Sequence, residues 1–267
     1  MKSKICLVAA VTCCFVNVHS TAFAENTEEQ KAVLVTGASS GIGLSIAELL
    51  AANGFYVYAG ARKAADLERL DAMDNISSVR LDVTVQEDID SAVAFVESEG
   101  RGLWGIVNNA GVYKYSPLTT GPVEDARFVF EVNFFGPYRI NQAFLPLLGD
   151  DGGRTTIIGS VNGFAPDDTA YTASKFAVEG YTDSLADVLE DTNVHVSIVE
   201  PGAYKSAIRR KAMDYMLESS EANDFEVSEE LRKDFEEWMA SNEGMKEPDD
   251  VAEAVLHIMS SESPKRR

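Results

Sequence analysis

Beyond residue 24 the chain contains no cysteine; all three, Cys6, Cys13 and Cys14, lie before that point. Disulfides, thiolate catalysis and cysteine-ligated metal are therefore excluded for everything downstream. Positive charge is also scarce. Lys and Arg number 23 against 43 Asp and Glu, a formal net of −20, and so acidic a chain lacks the basic footprint that a nucleic-acid partner requires. Much of the excess is local: residues 218–253 hold 14 acids and three bases, which reads as the solvated face of a helix around Ser228 to Ser241. Long apolar runs are missing too. The longest candidate, Ile5 to Val18, has 14 residues, short of the about 20 that span a bilayer. No linker, repeat or low-complexity segment divides residues 25–267, which suffice for one α/β domain with a substantial core.

The first 24 residues read as a secretory signal. Lys2 and Lys4 form the basic start, Ile5 to Val18 the apolar stretch, and Ala22-Phe23-Ala24 the small-residue cleavage site before Glu25. The expectation is a chain exported to the periplasm or secreted. The alternatives are an uncleaved membrane anchor and a cytoplasmic protein whose start lies further on.

Directly after the apolar run Ala32 to Val35 stands Thr36-Gly37-Ala38-Ser39-Ser40-Gly41-Ile42-Gly43. Ile42, Ile46, Leu49 and Leu50 then follow at helical spacing, Asn53-Gly54 stops the helix, and Phe55 to Ala59 reads as a second strand. A strand turning sharply into a helix through glycine leaves backbone N–H groups aimed at an incoming pyrophosphate. Strands and helices alternate thereafter. The pattern predicts helix Ala65 to Met73, strand Val79 to Leu81, helix Gln86 to Glu99 and strand Gly105 to Asn108. A long helix Val123 to Leu148, strand Thr155 to Gly159, helix Thr172 to Glu190 and strand Val194 to Val199 follow. That order specifies a doubly wound parallel sheet, with ligands beyond the carboxyl ends of the strands.

An acid closing the second strand would hold a ribose 2′-hydroxyl. This chain has Gly60-Ala61-Arg62-Lys63 instead, and a guanidinium without a repelling carboxylate favours NADP(H) over NAD(H). Arg62 as a simple surface arginine is the alternative. Asp82, after the third strand, is placed to accept from an adenine amino group or to cap the helix near Gln86. Asn108-Asn109-Ala110-Gly111 closes the fourth strand, Ser160 the fifth, and Tyr171 and Lys175 stand four apart on the next helix, so both project from one face. A phenol of pKa near 10 needs about 4 kcal/mol of differential stabilisation to titrate near 7, which an adjacent ammonium and an oxidised nicotinamide are suited to supply.

With these motifs the chain resembles the short-chain dehydrogenase/reductase family in its single-domain form. The resemblance covers residues 31 to about 260. It implies that Tyr171 is the general acid/base, that Ser160 orients the substrate, and that Lys175 tunes the tyrosine and binds the nicotinamide ribose. Asn133, in Glu131-Val-Asn-Phe-Phe-Gly136, corresponds to the residue that holds a proton-relay water. Gly37, Ser39, Ser40, Gly41, Ile42 and Gly43 would cradle the pyrophosphate; Asp82 and Val83 would contact adenine; Asn109, Ala110 and Gly111 would line the cleft. Pro201 and Gly202 would lie along the nicotinamide, with Ser206 at its carboxamide. The segment Gly60 to Lys63 looks most like NADP-preferring members acting on steroids, retinoids and other carbonyls. A homo-oligomer is the usual assembly, and no metal is required.

Three departures qualify the resemblance. Two residues fewer separate Ser160 from Tyr171 than the family commonly shows, shortening one pocket wall. The chain stops where a seventh strand should begin after a helix Val251 to Ser260, which predicts six strands with an uncovered edge, or a sequence cut short. The leader would also carry the chain away from cytosolic NADP(H). Tyr113, Tyr115, Phe164, Tyr204, Met213, Tyr215 and Met216 are candidates for an apolar substrate pocket. Lys205, Arg209, Arg210 and Lys211 form a basic cluster nearby, better matched to the acidic segment than to an anionic substrate. The reading is an NADP-dependent oxidoreductase interconverting a secondary alcohol and a carbonyl on a bulky apolar substrate. A non-catalytic NADP-binding scaffold or sensor is the rival.

Overall fold

A computed structural model describes residues 30–149, 152–222 and 228–267. Residues 1–24, read above as a secretory signal, lie outside them. Six strands form one parallel sheet: β1 (Ala32–Val35), β2 (Tyr56–Ala61), β3 (Ile76–Arg80), β4 (Gly105–Asn108), β5 (Gly153–Ile158) and β6 (Val194–Val199). Their order is β3-β2-β1-β4-β5-β6. The reversal between β1 and β4 opens a crevice at the carboxyl edge, where ligands bind in such sheets.

Both sheet faces are buried, which is why β1 is apolar at every position. Val33 and Val35 pack with α1 (Gly41–Ala52), α2 (Ala64–Asp71) and α9 (Asp249–Ser260). Ala32 and Leu34 face the layer made by α3 (Gln86–Glu99), α4 (Val123–Asn133) and α5 (Phe135–Phe144). α6 (Ala170–Val188) covers β5 and β6 through Val178 and Ala186. α7 (Ile208–Ala222) and α8 (Glu229–Ala240) lie beyond the sheet. A buried Arg154 on β5 reaches across to donate from Nε to the Ile258 carbonyl at 3.0 Å, anchoring the end of α9.

Two expectations need correction. The helix foreseen over Val123 to Leu148 is broken at Phe134, with a short 3₁₀ turn, Leu145–Leu147, after α5. Pro137 explains the break: it has no N–H to give the Asn133 carbonyl and its ring disfavours a continuous helix there. The β6 edge is also not bare. Ile198 N donates to the Arg266 carbonyl at 2.8 Å, and Ser197 Oγ to that of Lys265 at 2.7 Å. Arg267 pairs with Asp183 at 2.9 Å, Glu200 at 3.3 Å and Glu179 at 3.4 Å. Among the described residues the sheet has six strands, with residues 265–267 laid along its β6 edge.

Candidate active site

A cleft of about 500 Å³ runs along the carboxyl edge of the sheet. Gly37, Ser39, Ser40, Gly41, Ile42 and Gly43 line it, with Arg62, Asp82, Val83, Asn109, Ala110, Gly111, Ser160, Tyr171, Lys175, Pro201, Gly202 and Ser206. Of the expected catalytic and cofactor-binding residues, Asn133 alone is not among its lining. Its buried amide accepts from Val112 N at 2.8 Å and donates to Val112 O at 3.0 Å and Ser174 Oγ at 3.1 Å. Asn133 thereby fixes the chain leaving β4 to the helix that carries Tyr171.

The glycine turn is shaped by close approach. Gly37 has φ +67°, and a Cβ there would lie 2.9 Å from Ala110 Cα. A Cβ on Gly43 would lie 2.3 Å from Asn109 Nδ2 and 2.4 Å from the Gly37 carbonyl. No larger residue fits at Gly43 without displacing the turn. Thr36, which sequence reasoning passed over, ties the two loops together. Its Oγ1 accepts from Asn109 N and Ala110 N, each at 3.0 Å, while Asn109 Nδ2 donates to the Thr36 carbonyl at 2.8 Å. The result is an open helix N-terminus walled by backbone, which suits a pyrophosphate.

At the far end of the cleft Arg62 pairs with Asp82 at 3.4 Å. Asp82 also accepts from Thr84 N at 3.0 Å and Thr84 Oγ1 at 2.7 Å. Burial works against its carboxylate, but the Thr84 bonds and Arg62 outweigh it and hold the carboxyl below its ordinary pKa. Asp82 therefore shapes the turn at Thr84; Val85, without a side-chain cap, stands at the start of α3. The glycine cradle and the end of β2 together fit a nicotinamide dinucleotide.

At the chemical end Ser160 and Tyr171 both line the cleft, with their hydroxyls near enough to interact, so the shortened segment between them still brings the pair together. That segment is braced by Asp167, which accepts from Thr169 N at 2.9 Å, Thr169 Oγ1 at 2.7 Å and Asn162 Nδ2 at 3.1 Å. The Asp-x-Thr spacing before α6 was the available signal for it. Lys175 is buried, and its Nζ donates to the Ile158 carbonyl at 2.9 Å while lying 5.8 Å from the Tyr171 ring centroid. Burial brings its pKa down to about 8 against the opposing pull of Glu179. The Tyr171 phenol is held above its ordinary pKa: burial is the main cause and Asp167 adds to it, exceeding the help from Ser160. Lys175 is turned to the Ile158 carbonyl.

The substrate side is walled by aromatic rings. Tyr113 lies 5.2 Å from Tyr171 and 5.3 Å from Trp238 of α8, between ring centroids. Tyr115 and Met213 pack in the same cluster, and Tyr204 lines the cleft. Phe164 is 62% exposed and is not among the lining residues. Tyr215 belongs elsewhere: it lies near Arg62 and packs on Phe128 at 5.2 Å between ring centroids. The side chains of Met216 and Arg209 lie outside the described residues. Lys205 pairs with Glu247 of the acidic segment at 2.6 Å. Lys211 instead lines the cleft.

A parallel sheet with a glycine cradle at its switch point and a Ser–Tyr pair facing the crevice defines a dinucleotide-dependent oxidoreductase. The chain belongs to the short chain dehydrogenase family, which matches residues 31–216. It is 33% identical over 259 residues to the mitochondrial D-beta-hydroxybutyrate dehydrogenase of Rattus norvegicus, covering 89% of this chain and 76% of that protein. Among solved structures it resembles a short chain dehydrogenase from Shigella flexneri complexed with NADP. That pair shares 25% identity at a TM-score of 0.71, over 89% of this chain and 93% of the other. A Burkholderia phymatum member in complex with NAD has 24% identity and a TM-score of 0.75, over 86% and 87% of the chains. The protein is thus an oxidoreductase of this family, acting on hydroxyl groups with a nicotinamide dinucleotide.

Proposed function

We propose that the protein interconverts a secondary alcohol and a carbonyl on a bulky, apolar substrate, with NADP(H) as cofactor. The observation that carries this reading is the placement of Ser160 and Tyr171 together in the cleft, with the phenol against an aromatic wall. The bound nicotinamide supplies or accepts the hydride. Ser160 Oγ donates to the substrate oxygen and fixes it beside Tyr171 Oη, and Tyr171 moves the proton. A phenol kept protonated by burial is the form that gives its proton to a carbonyl oxygen, which favours reduction from this state. Lys175, fixed at Ile158, holds positive charge near the ring and is placed to bind ribose. Arg62 supports the choice of NADP(H), because no carboxylate side chain closes β2 to repel a phosphate.

The test is fluorescence titration of the protein with NADPH and with NADH, followed by turnover of apolar ketones. Tight NADPH binding, weakened about tenfold in Arg62→Gln with NADH binding unmoved, is the expected result. Tyr171→Phe should lower turnover by at least about 100-fold while leaving NADPH affinity intact. Undiminished turnover in that variant would refute the mechanism. The leader reading of residues 1–24 carries export with it; a mature N-terminus at Glu25 checks it.

A further inference from the structure

Arg62 is not the only cation at the adenosine end of the cleft, and the others do not all come from the sheet. Lys211, in the first turn of α7, lines the same cleft as Arg62, Asp82 and Gly41. The approach to α7 is seated on the glycine turn, since a Cβ on Gly41 would lie 3.1 Å from Ser206 Cβ. Tyr215 follows Lys211 by four residues, so the two share a helix face. That face is turned toward Arg62 at the end of β2, and Tyr215 packs on Phe128. Lys211 accordingly lies near the loop that opens α2, where Lys63 and Asp66 act on it.

The local charge does not balance. Burial first, then Arg62 and Lys63, with Arg210 adding, hold the Lys211 ammonium below its ordinary pKa, and Asp66 alone opposes them. Asp66 is itself shared with Arg69 at 3.6 Å, and Asp82 serves Arg62. Cations thus outnumber carboxylates around Lys211, which shares with Arg62 a cleft shaped for a dinucleotide. A phosphate monoester carries the charge, roughly −1.5 to −2 at neutral pH, that such a cluster lacks.

Resting on the reading that the cofactor is NADP(H), we propose that Lys211 is a second ligand of the 2′-phosphate, reaching it from α7 across the cleft from Arg62. The adjacent Ala212 and Met213 pack with Tyr113, Tyr115 and Trp238 over the chemical end. A phosphate held between Arg62 and Lys211 therefore ties the helix that covers the substrate to the sheet that binds the cofactor. NADPH fixes this wall; NADH, without the phosphate, does not.

The experiment measures dissociation constants of NADPH, NADH and adenosine 2′,5′-bisphosphate for the wild type, Lys211→Met, Lys211→Arg and Arg62→Gln. It is joined by hydrogen exchange of α7 in each dinucleotide complex. Lys211→Met should weaken NADPH and the bisphosphate about tenfold and NADH by less than about twofold, with Lys211→Arg recovering most of the loss. In the wild type α7 exchanges more slowly with NADPH than with NADH, and in Lys211→Met that difference disappears. If Arg62→Gln erases the NADPH preference while Lys211→Met leaves it whole, the assignment of Lys211 fails and the NADP(H) reading stands. Equal weakening of both dinucleotides also overturns the assignment, since it marks a structural role. A wild type without any NADPH preference overturns both.

Discussion

Replacing Lys175 by Met should stabilise the fold near neutral pH while abolishing turnover, and the gain should shrink as pH rises. The reason lies in the burial of its ammonium, which brings the pKa from 10.5 in the unfolded reference to about 8 in the folded cleft. At about 1.4 kcal/mol per unit, the folded state bears about 3 kcal/mol at pH 7, where the lysine is protonated in both states. Between pH 8 and 10.5 the unfolded chain holds the proton that the folded chain has released, so wild-type stability rises with pH. By pH 9.5 the remaining penalty is about 1 kcal/mol. Methionine carries no charge and escapes the penalty at every pH. It also loses the 2.9 Å bond to the Ile158 carbonyl, which costs about 1–3 kcal/mol when the acceptor stays buried. The absolute gain at pH 7 is therefore about 1 kcal/mol, but the bond term cancels when two pH values are compared. Urea unfolding of both proteins at pH 7.0 and 9.5 should show a stability difference that falls by about 2 kcal/mol. A difference that stays flat across that interval would refute the claim that Lys175 is a charge held against its own desolvation.

Two further outcomes are expected. Gly43→Ala puts a methyl 2.3 Å from Asn109 Nδ2 and 2.4 Å from the Gly37 carbonyl; it should lower stability by about 1–3 kcal/mol and abolish NADPH binding, read by thermal unfolding and titration. Arg267→Ala removes the partner of Asp183, Glu179 and Glu200, a group 44% exposed and so worth under about 1 kcal/mol after solvent screening. The Glu179 carboxyl is already raised, chiefly by burial with Glu200 adding to it. A raised acid destabilises the fold as pH climbs and the group ionises, so the Tm loss in Arg267→Ala should be larger at pH 7.5 than at pH 4.5.

What the sequence made legible was whatever depends on neighbours in the chain. The glycine turn, the alternation of strand and helix, and the Tyr171–Lys175 spacing are local patterns, and each sits where its pattern put it. The break after Asn133 was written in Pro137, but the apolar periodicity ran on through it and masked the signal. Tyr215 could not be placed by pattern: an aromatic at helical spacing fits a substrate wall as well as it fits Phe128 and Arg62. Lys211 was misread for the same reason. Its neighbours in sequence are basic and an acidic segment follows, yet its neighbours in space come from the ends of β2 and α2. Trp238 lies on a helix whose charge suggested only solvent, and its ring closes the cleft beside Tyr113.

The opposite directions of the two shifts in the candidate site have one origin. Desolvation favours the neutral form of each group, so it raises the phenol of Tyr171 and lowers the amine of Lys175. Spacing of four residues guarantees that the two side chains share a helix face; it does not guarantee that their charges meet. Here Lys175 is turned to the Ile158 carbonyl and Tyr171 to Ser160. The pair is consequently stable as phenol and buried cation. On the proposed mechanism the work of making a phenolate, about 1.4 kcal/mol for each unit that its pKa must fall, would fall to the positive charge of an oxidised nicotinamide. Proton transfer and cofactor redox state would then be coupled through burial. The pH profile of alcohol oxidation should therefore report a tyrosine pKa that exists only in the complex, and a Tyr171 titrated in the free protein should ionise later than an ordinary tyrosine.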